Sequence, residues 1–153
     1  MLDTPEQARA FIQNEIDRNR PLQLPKGHAV GDILVWDGDS WEPARAEVIR
    51  LVGNGSDQPA FKNAWAALAG WQAPGFYKDA FGIIHLVGAL TAGTINTAAF
   101  TLPAKYRPAA KRRFPTVSNG AIGAIDVLTS GDVVPSIGAN PSTFLDGIYF
   151  RPA

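Results

Sequence analysis

Between residues 64 and 150 the chain carries eight short runs of apolar, aromatic or β-branched residues, at 64–68, 76–78, 83–90, 98–102, 113–117, 121–128, 133–135 and 143–150. Each is bounded by Gly, Pro or Asn. Runs this short and this often interrupted leave no room for amphipathic helices, whose stripes need about 10 residues or more. They predict an all-β fold: an antiparallel β-sandwich, jelly-roll-like, in which turn residues close every strand. The 15 Gly and 12 Pro among 153 residues supply those turns. No internal repeat or low-complexity run interrupts the pattern.

The first part of the chain reads differently. Thr4-Pro5-Glu6-Gln7 is a helix start, with Thr4 as cap, Pro5 at the first helical position and Gln7 completing a capping box. The helix is expected to reach Arg18, with Ala8, Phe11, Ile12 and Ile16 forming one apolar stripe, and 19–21 to stop it. A single helix of this length is marginal, so the stripe needs a partner surface. Residues 21–31 read as a linker. Residues 33–43, with an Asp-Gly turn between Trp36 and Trp41, read as a β-hairpin, and two strands need something larger to pack on. The glycine-rich run at 53–56 is the expected boundary between residues 1–52 (helix, linker and Trp hairpin) and 53–153 (β-sandwich head).

Charge follows the same division. Residues 1–60 hold 10 acids and 6 bases and residues 61–153 hold 4 acids and 8 bases, for a net charge of zero. That balance is not the footprint of a nucleic-acid binder. No run of about 18 apolar residues is present to insert in a membrane, and the N-terminus lacks a secretory leader pattern. With no cysteine there is neither disulfide nor thiolate metal site, which fits cytoplasmic synthesis.

Chemistry-bearing patterns are sparse. Residues 61–153 contain no Glu, and of their four acids Asp79, Asp132 and Asp146 lie beside turn glycines, where Asp bonds local backbone. Asp126 is the fourth. The acids of 37–42 fit a hairpin better than a calcium loop, which needs more ligands and flanking helices. His28 and His85 have no metal-ligand spacing. The serines lack a nucleophile elbow, and no phosphate-cradling glycine motif occurs. The expectation is a protein that is not an enzyme, with no catalytic residue, metal or cofactor.

Three motifs in order carry a resemblance: the aromatic-Lys-Asp-x-x-Gly hairpin and apolar strand at 76–88, Thr-Leu-Pro-Ala-Lys-Tyr-Arg-Pro at 101–108, and Leu-Asp-Gly-Ile-Tyr-Phe-Arg at 145–151. Residues 53–153 resemble the C-terminal head domain of tailed-phage tail-fibre and receptor-binding proteins. The Trp hairpin is similar to one that phage tail proteins carry ahead of their fibre domains. The resemblance implies a virion protein made in the host cytoplasm and assembled as a homotrimer. Residues 1–52 would serve trimerisation and attachment to other tail, baseplate or capsid proteins, and the head would bind a host surface polysaccharide. The alternative is a capsid-attached spike or decoration protein with the same head, because the chain begins only about 50 residues before it. A cell-wall polymer hydrolase is a third reading, disfavoured by the absent Glu.

Two groups are candidates for the ligand site. Trp71, Gln72, Phe76 and Tyr77 could stack on sugar rings and bond hydroxyls. The basic loop Lys105, Tyr106, Arg107, Arg112 and Arg113, with Lys111, could hold anionic glycans or teichoic-type polymers, although its Tyr-Arg-Pro piece is a recurring turn in the resembling family. The aromatic group is the preferred site. The strand at 83–87, apolar at nearly every position, is expected to bury one face in the sandwich and the other between subunits.

Overall fold

The computed structural model describes residues 4–18, 34–36, 41–53, 55 and 58–153. The helix stop at 19–21, the linker with His28, the turn at 37–40, and Asn54 and Ser56 of the glycine-rich run lie outside the described residues. The chain divides into two compact units, Met1–Ala44 and Arg45–Ala153.

In the first unit a helix, α1, spans Pro5–Arg18, and strands β1 (Leu34–Trp36) and β2 (Trp41–Pro43) pair antiparallel, Trp36 opposite Trp41. The expected cap forms: the Thr4 hydroxyl oxygen accepts the Gln7 N–H at 3.2 Å, satisfying one of the free amides of the first turn. Phe11 and Ile12 of the stripe are 54% and 56% exposed.

The second unit is the β-sandwich. Its strands are β3 (Arg50–Leu51), β4 (Ala66–Ala67), β5 (Gly75–Lys78), β6 (Ile84–Val87), β7 (Ala89–Thr91), β8 (Phe100–Thr101), β9 (Arg112–Ser118), β10 (Ala121–Val127), β11 (Asp132–Ile137), β12 (Thr143–Phe144) and β13 (Ile148–Phe150). A seven-stranded sheet runs in the order β4-β7-β12-β9-β10-β11-β8, and a four-stranded sheet in the order β13-β6-β5-β3. Between them lies one core. Phe76, Ile84, Leu86 and Ile148 come from the smaller sheet, Leu90, Phe100, Ile125, Val127 and Val133 from the larger, and Trp65, Leu102, Tyr106 and Leu145 from the connections. The alternation of buried positions along β6, β11 and β13 is the period-two pattern of strands buried on one face.

The sandwich begins earlier than the glycine-rich run suggests. Arg50–Leu51 pair with Phe76 and Gly75, the Glu47 N–H donates to the Lys78 carbonyl at 2.8 Å, and Val52 is buried in the core. A two-residue strand has no periodicity to read, so composition alone places this boundary too late.

Two segments that read as single strands are each cut in two. Residues 83–90 become β6 in the small sheet and β7 in the large one, and residues 143–150 become β12 in the large sheet and β13 in the small one. Apolar residues flank both corners, Val87 and Ala89 at the first and Leu145 and Ile148 at the second, because both halves contribute to the same core. The corners are tied together: the Gly88 N–H donates to Asp146 Oδ1 at 3.1 Å and the Gly88 carbonyl accepts the Leu145 N–H at 2.8 Å. Asp146 therefore bonds backbone 58 residues away and not its own turn, which corrects the local-turn expectation for this residue.

β9 and β10 form the longest hairpin. Ser118 pairs with Ala121, leaving Asn119 (φ 49°) and Gly120 (φ 75°) as a two-residue loop of the mirror-image type that matches strand twist. The outward side of β6 is not bare. His85 lies between Tyr77 and Tyr149 of the neighbouring strands, with the Tyr77 ring stacked on it at 4.9 Å. The second face of this strand thus has partners within its own chain.

Candidate functional site

The basic loop is largely consumed by structure. Leu102 is buried, residues Ala104–Tyr106 form a single 3-10 turn, and Tyr106 sits fully in the core with its ring edge against Phe76 at 4.9 Å. Its hydroxyl donates to Glu47 Oε2 at 2.6 Å. Burial, and then this carboxylate beside it, push the Tyr106 hydroxyl above its ordinary pKa. The Arg107 guanidinium donates to the Leu102 carbonyl at 2.9 Å, closing the turn, and Lys105 lies 3.7 Å from Glu47. Tyr106, fully buried, is thus part of the core and not of a surface site, which corrects its placement, while Arg107 is half-buried and tied to the turn. Glu47, which lies N-terminal to the expected head boundary, is the partner sequence reading missed.

Farther along, Arg113 donates two bonds to Asp126, at 2.6 and 2.9 Å, and Lys111 lies 2.8 Å from the same carboxylate. The hydrogen bond from Arg113 holds the Asp126 carboxyl low against the upward push of burial; with Lys111 adding to it, the value is about 2 rather than 3.8. A carboxylate with a depressed pKa stabilises the fold above its unfolded value and stops doing so as pH falls through the folded one. A shift of nearly two units corresponds to about 2.5 kcal/mol at most, reduced to about 1–2 kcal/mol because both cationic partners are more than half exposed. Asp126→Asn should therefore be less stable than the parent by that amount at pH 7. In urea titrations the gap should close between about pH 4 and pH 2; a gap that persists at pH 2 would contradict this account.

Two other carboxylates of the head are also engaged. Asp79 accepts the N–H groups of Phe81 and Ile83, both at 2.9 Å, and the His85 Nε2–H at 2.8 Å. Burial alone would raise its pKa, but these bonds outweigh it and lower it. Asp132 accepts from the Thr101 and Ser130 hydroxyls and lies 3.6 Å from Lys62. Among the described residues no group of three His, Asp or Glu is placed to hold a metal.

The aromatic group is divided by the fold. Phe76 is completely buried, so it cannot meet a ligand, and the reason is the alternation of β5: Phe76 points inward where Tyr77 points out. Tyr77 lies with His85 on the small sheet. Trp71 is 61% exposed, on the connection between β4 and β5, and its ring meets Phe144 edge-on at 4.7 Å. Gln72 beside it is exposed and gives its carbonyl to the Ala89 N–H at 3.1 Å. Phe144 in turn lines a groove of about 620 Å³ with Pro115, Thr116, Val117, Ile122 and Asp146. Exposed Val117 and Ile122 make its walls apolar, while the Asp146 carboxylate is the charged group in its lining. A concave apolar surface with a few polar groups is the usual build of a small-ligand site.

A second pocket, of about 280 Å³, lies where β9 meets β13. Ile83, Phe114 and Phe150 are apolar, Tyr149 stands 63% exposed, and Arg112 and Arg151 complete the lining. Of the sequence candidates only Arg112 reaches it. Tyr149 and Arg151 escaped notice because the terminal motif reads as a closing strand.

No protein-family model and no curated protein matches the sequence. Among solved structures, the receptor binding protein (gp15) of Listeria phage PSA is similar to it. The two share 17% identity and superpose with a TM-score of 0.52 over 97% of this chain and 79% of that one. At that identity the likeness is one of architecture, and it agrees with the order of motifs at 76–88, 101–108 and 145–151: the chain has the fold of a phage receptor-binding protein.

Proposed function

We propose that this is a phage virion protein that recognises a saccharide of the host surface and binds it reversibly, without cleaving it. The observation that carries the reading is the fold it shares with the Listeria phage receptor-binding protein. The exposed Trp71 ring, held against Phe144 at the edge of the apolar groove, is a surface on which a sugar ring can stack. Gln72 is next to it for hydroxyl contacts. Assembly as a homotrimer would multiply a weak single-site affinity, and the exposed Phe11 and Ile12 of α1 give residues 1–52 an apolar surface for trimerisation or for attachment to another virion protein.

Pull-down of the full-length protein by bacterial cell walls stripped of protein tests this. The protein should bind walls of its host and release no soluble fragments. Trp71→Ala should weaken binding by about tenfold or more, equally at low and high salt, because stacking is little screened. Binding that depends on wall protein, or is indifferent to Trp71→Ala, would overturn the assignment. Particle incorporation without wall binding would favour a spike or decoration role.

A further inference from the structure

The second pocket has a chemistry of its own. Of the basic cluster 111–113, Lys111 and Arg113 are both spent on Asp126, but the Arg112 side chain makes neither ion pair nor hydrogen bond among the described residues. The same holds for Arg151. These two guanidiniums, 39 positions apart in sequence, are brought by β9 and β13 to one pocket of about 280 Å³. Asp126 is already neutralised twice over, and Asp79, whose carboxylate accepts the N–H of the lining residue Ile83, is engaged by that amide, by Phe81 and by His85; the pocket's own charged lining is the two arginines. Two cations lining a small cavity repel each other, and an anion relieves that repulsion. Guanidinium forks match the oxygens of a carboxylate or phosphate in pairs.

The rest of the lining is not that of a bare anion site. Phe114 and Phe150 lie 6.1 Å apart beneath it, and Tyr149 offers an exposed ring at its rim. Free phosphate would leave this apolar surface unused, whereas a sugar ring would cover it, and the cavity has room for little more than one such ring.

We propose that the pocket of Arg112, Arg151 and Tyr149 binds a sugar unit bearing an oxyanion, the ring against Tyr149 and the carboxylate or phosphate between the two arginines. This rests on the reading of the protein as a saccharide binder, but it uses a different surface from Trp71.

Titration of the full-length protein with glucose 6-phosphate, glucuronate, glucose and inorganic phosphate, followed by NMR, separates the contributions. At least one of the two anionic sugars should bind about tenfold or more tightly than either glucose or inorganic phosphate, with a steep loss at high salt. Preference for glucose 6-phosphate identifies a phosphorylated unit, and preference for glucuronate an acidic sugar. Arg112→Gln and Arg151→Gln should each abolish the preference, Tyr149→Ala should weaken the anionic sugars toward inorganic phosphate, and Tyr149→Phe should bind as the parent does. Trp71→Ala should leave the preference for the anionic sugars unchanged even though it weakens wall binding, so failure of either site is visible separately. Anionic sugars that bind no better than glucose, or arginine variants that titrate like the parent, would overturn the proposal. All of these side chains are exposed or at the rim, and an unchanged urea midpoint shows that each variant is folded.

Discussion

Gly88→Ala should lose about 4 kcal/mol of stability, a large share of what a domain of this size possesses. At Gly88 φ is 93°, a left-handed conformation that costs a side-chain-bearing residue about 1–2 kcal/mol on its own. In addition, an added Cβ would lie 2.4 Å from the Ala73 carbonyl oxygen and 2.6 Å from that of Gln72. These are backbone atoms. They cannot withdraw without breaking the bond from the Ala89 N–H to Gln72 and disturbing the corner where the chain passes from β6 to β7. Asp146 and Leu145 hold the same corner from the other side, so strain there is shared by both sheet crossings. Gly120→Ala is the control, since its φ is 75° but nothing lies within 4 Å of an added Cβ. It should cost only about 1–2 kcal/mol. Urea unfolding followed by tryptophan fluorescence measures both, and equal losses would show that backbone crowding at Gly88 is not the cause.

Tyr106→Ala should cost about 3–5 kcal/mol, the usual range for deleting a buried aromatic ring. Tyr106→Phe should cost only about 1 kcal/mol, the net worth of one hydrogen bond. The ring fills the core against Phe76, and Arg50, Lys78 and Lys105 place their cationic groups 5.1 to 5.7 Å from its centre. Glu47 keeps Lys105 at 3.7 Å and Arg50 at 3.8 Å as alternative partners when the hydroxyl is removed. Hydrogen exchange at residues 47–51 should quicken in the alanine variant, because the hydroxyl of Tyr106 is a tie between the Tyr-Arg-Pro turn and the segment leading into β3. Tyr106→Phe should bind cell walls as the parent does. A binding defect in a stably folded Tyr106→Phe protein would return this residue to the ligand site.

Much of the architecture was legible in the order of residues alone. The all-β class, α1 with its Thr4 cap and the pairing of β1 with β2 rest on local rules: capping chemistry, period-two alternation and turn residues act within a few positions. The identity of several strands, among them β5, β9 and β10, rests on the same rules. What sequence could not decide was which apolar run changes sheets. The run at 83–90 is apolar on both sides of Gly88, and only the closing of two sheets over one core makes it two strands. The same geometry moved the head boundary back to Arg45, since β3 exists only because β5 offers it an edge. It also settled the fate of the candidate residues. Phe76 and Tyr77 are adjacent in sequence, yet alternation buries one and exposes the other, and Tyr106 is polar enough to suggest a surface but reaches Glu47 from within the core. Arg112 and Arg113 are neighbours with opposite fates, one bound to Asp126 and one left to meet Arg151 in a pocket. Composition specifies how many charges and rings a chain has to spend; the crossing of strands between two sheets decides which of them remain free to meet another molecule.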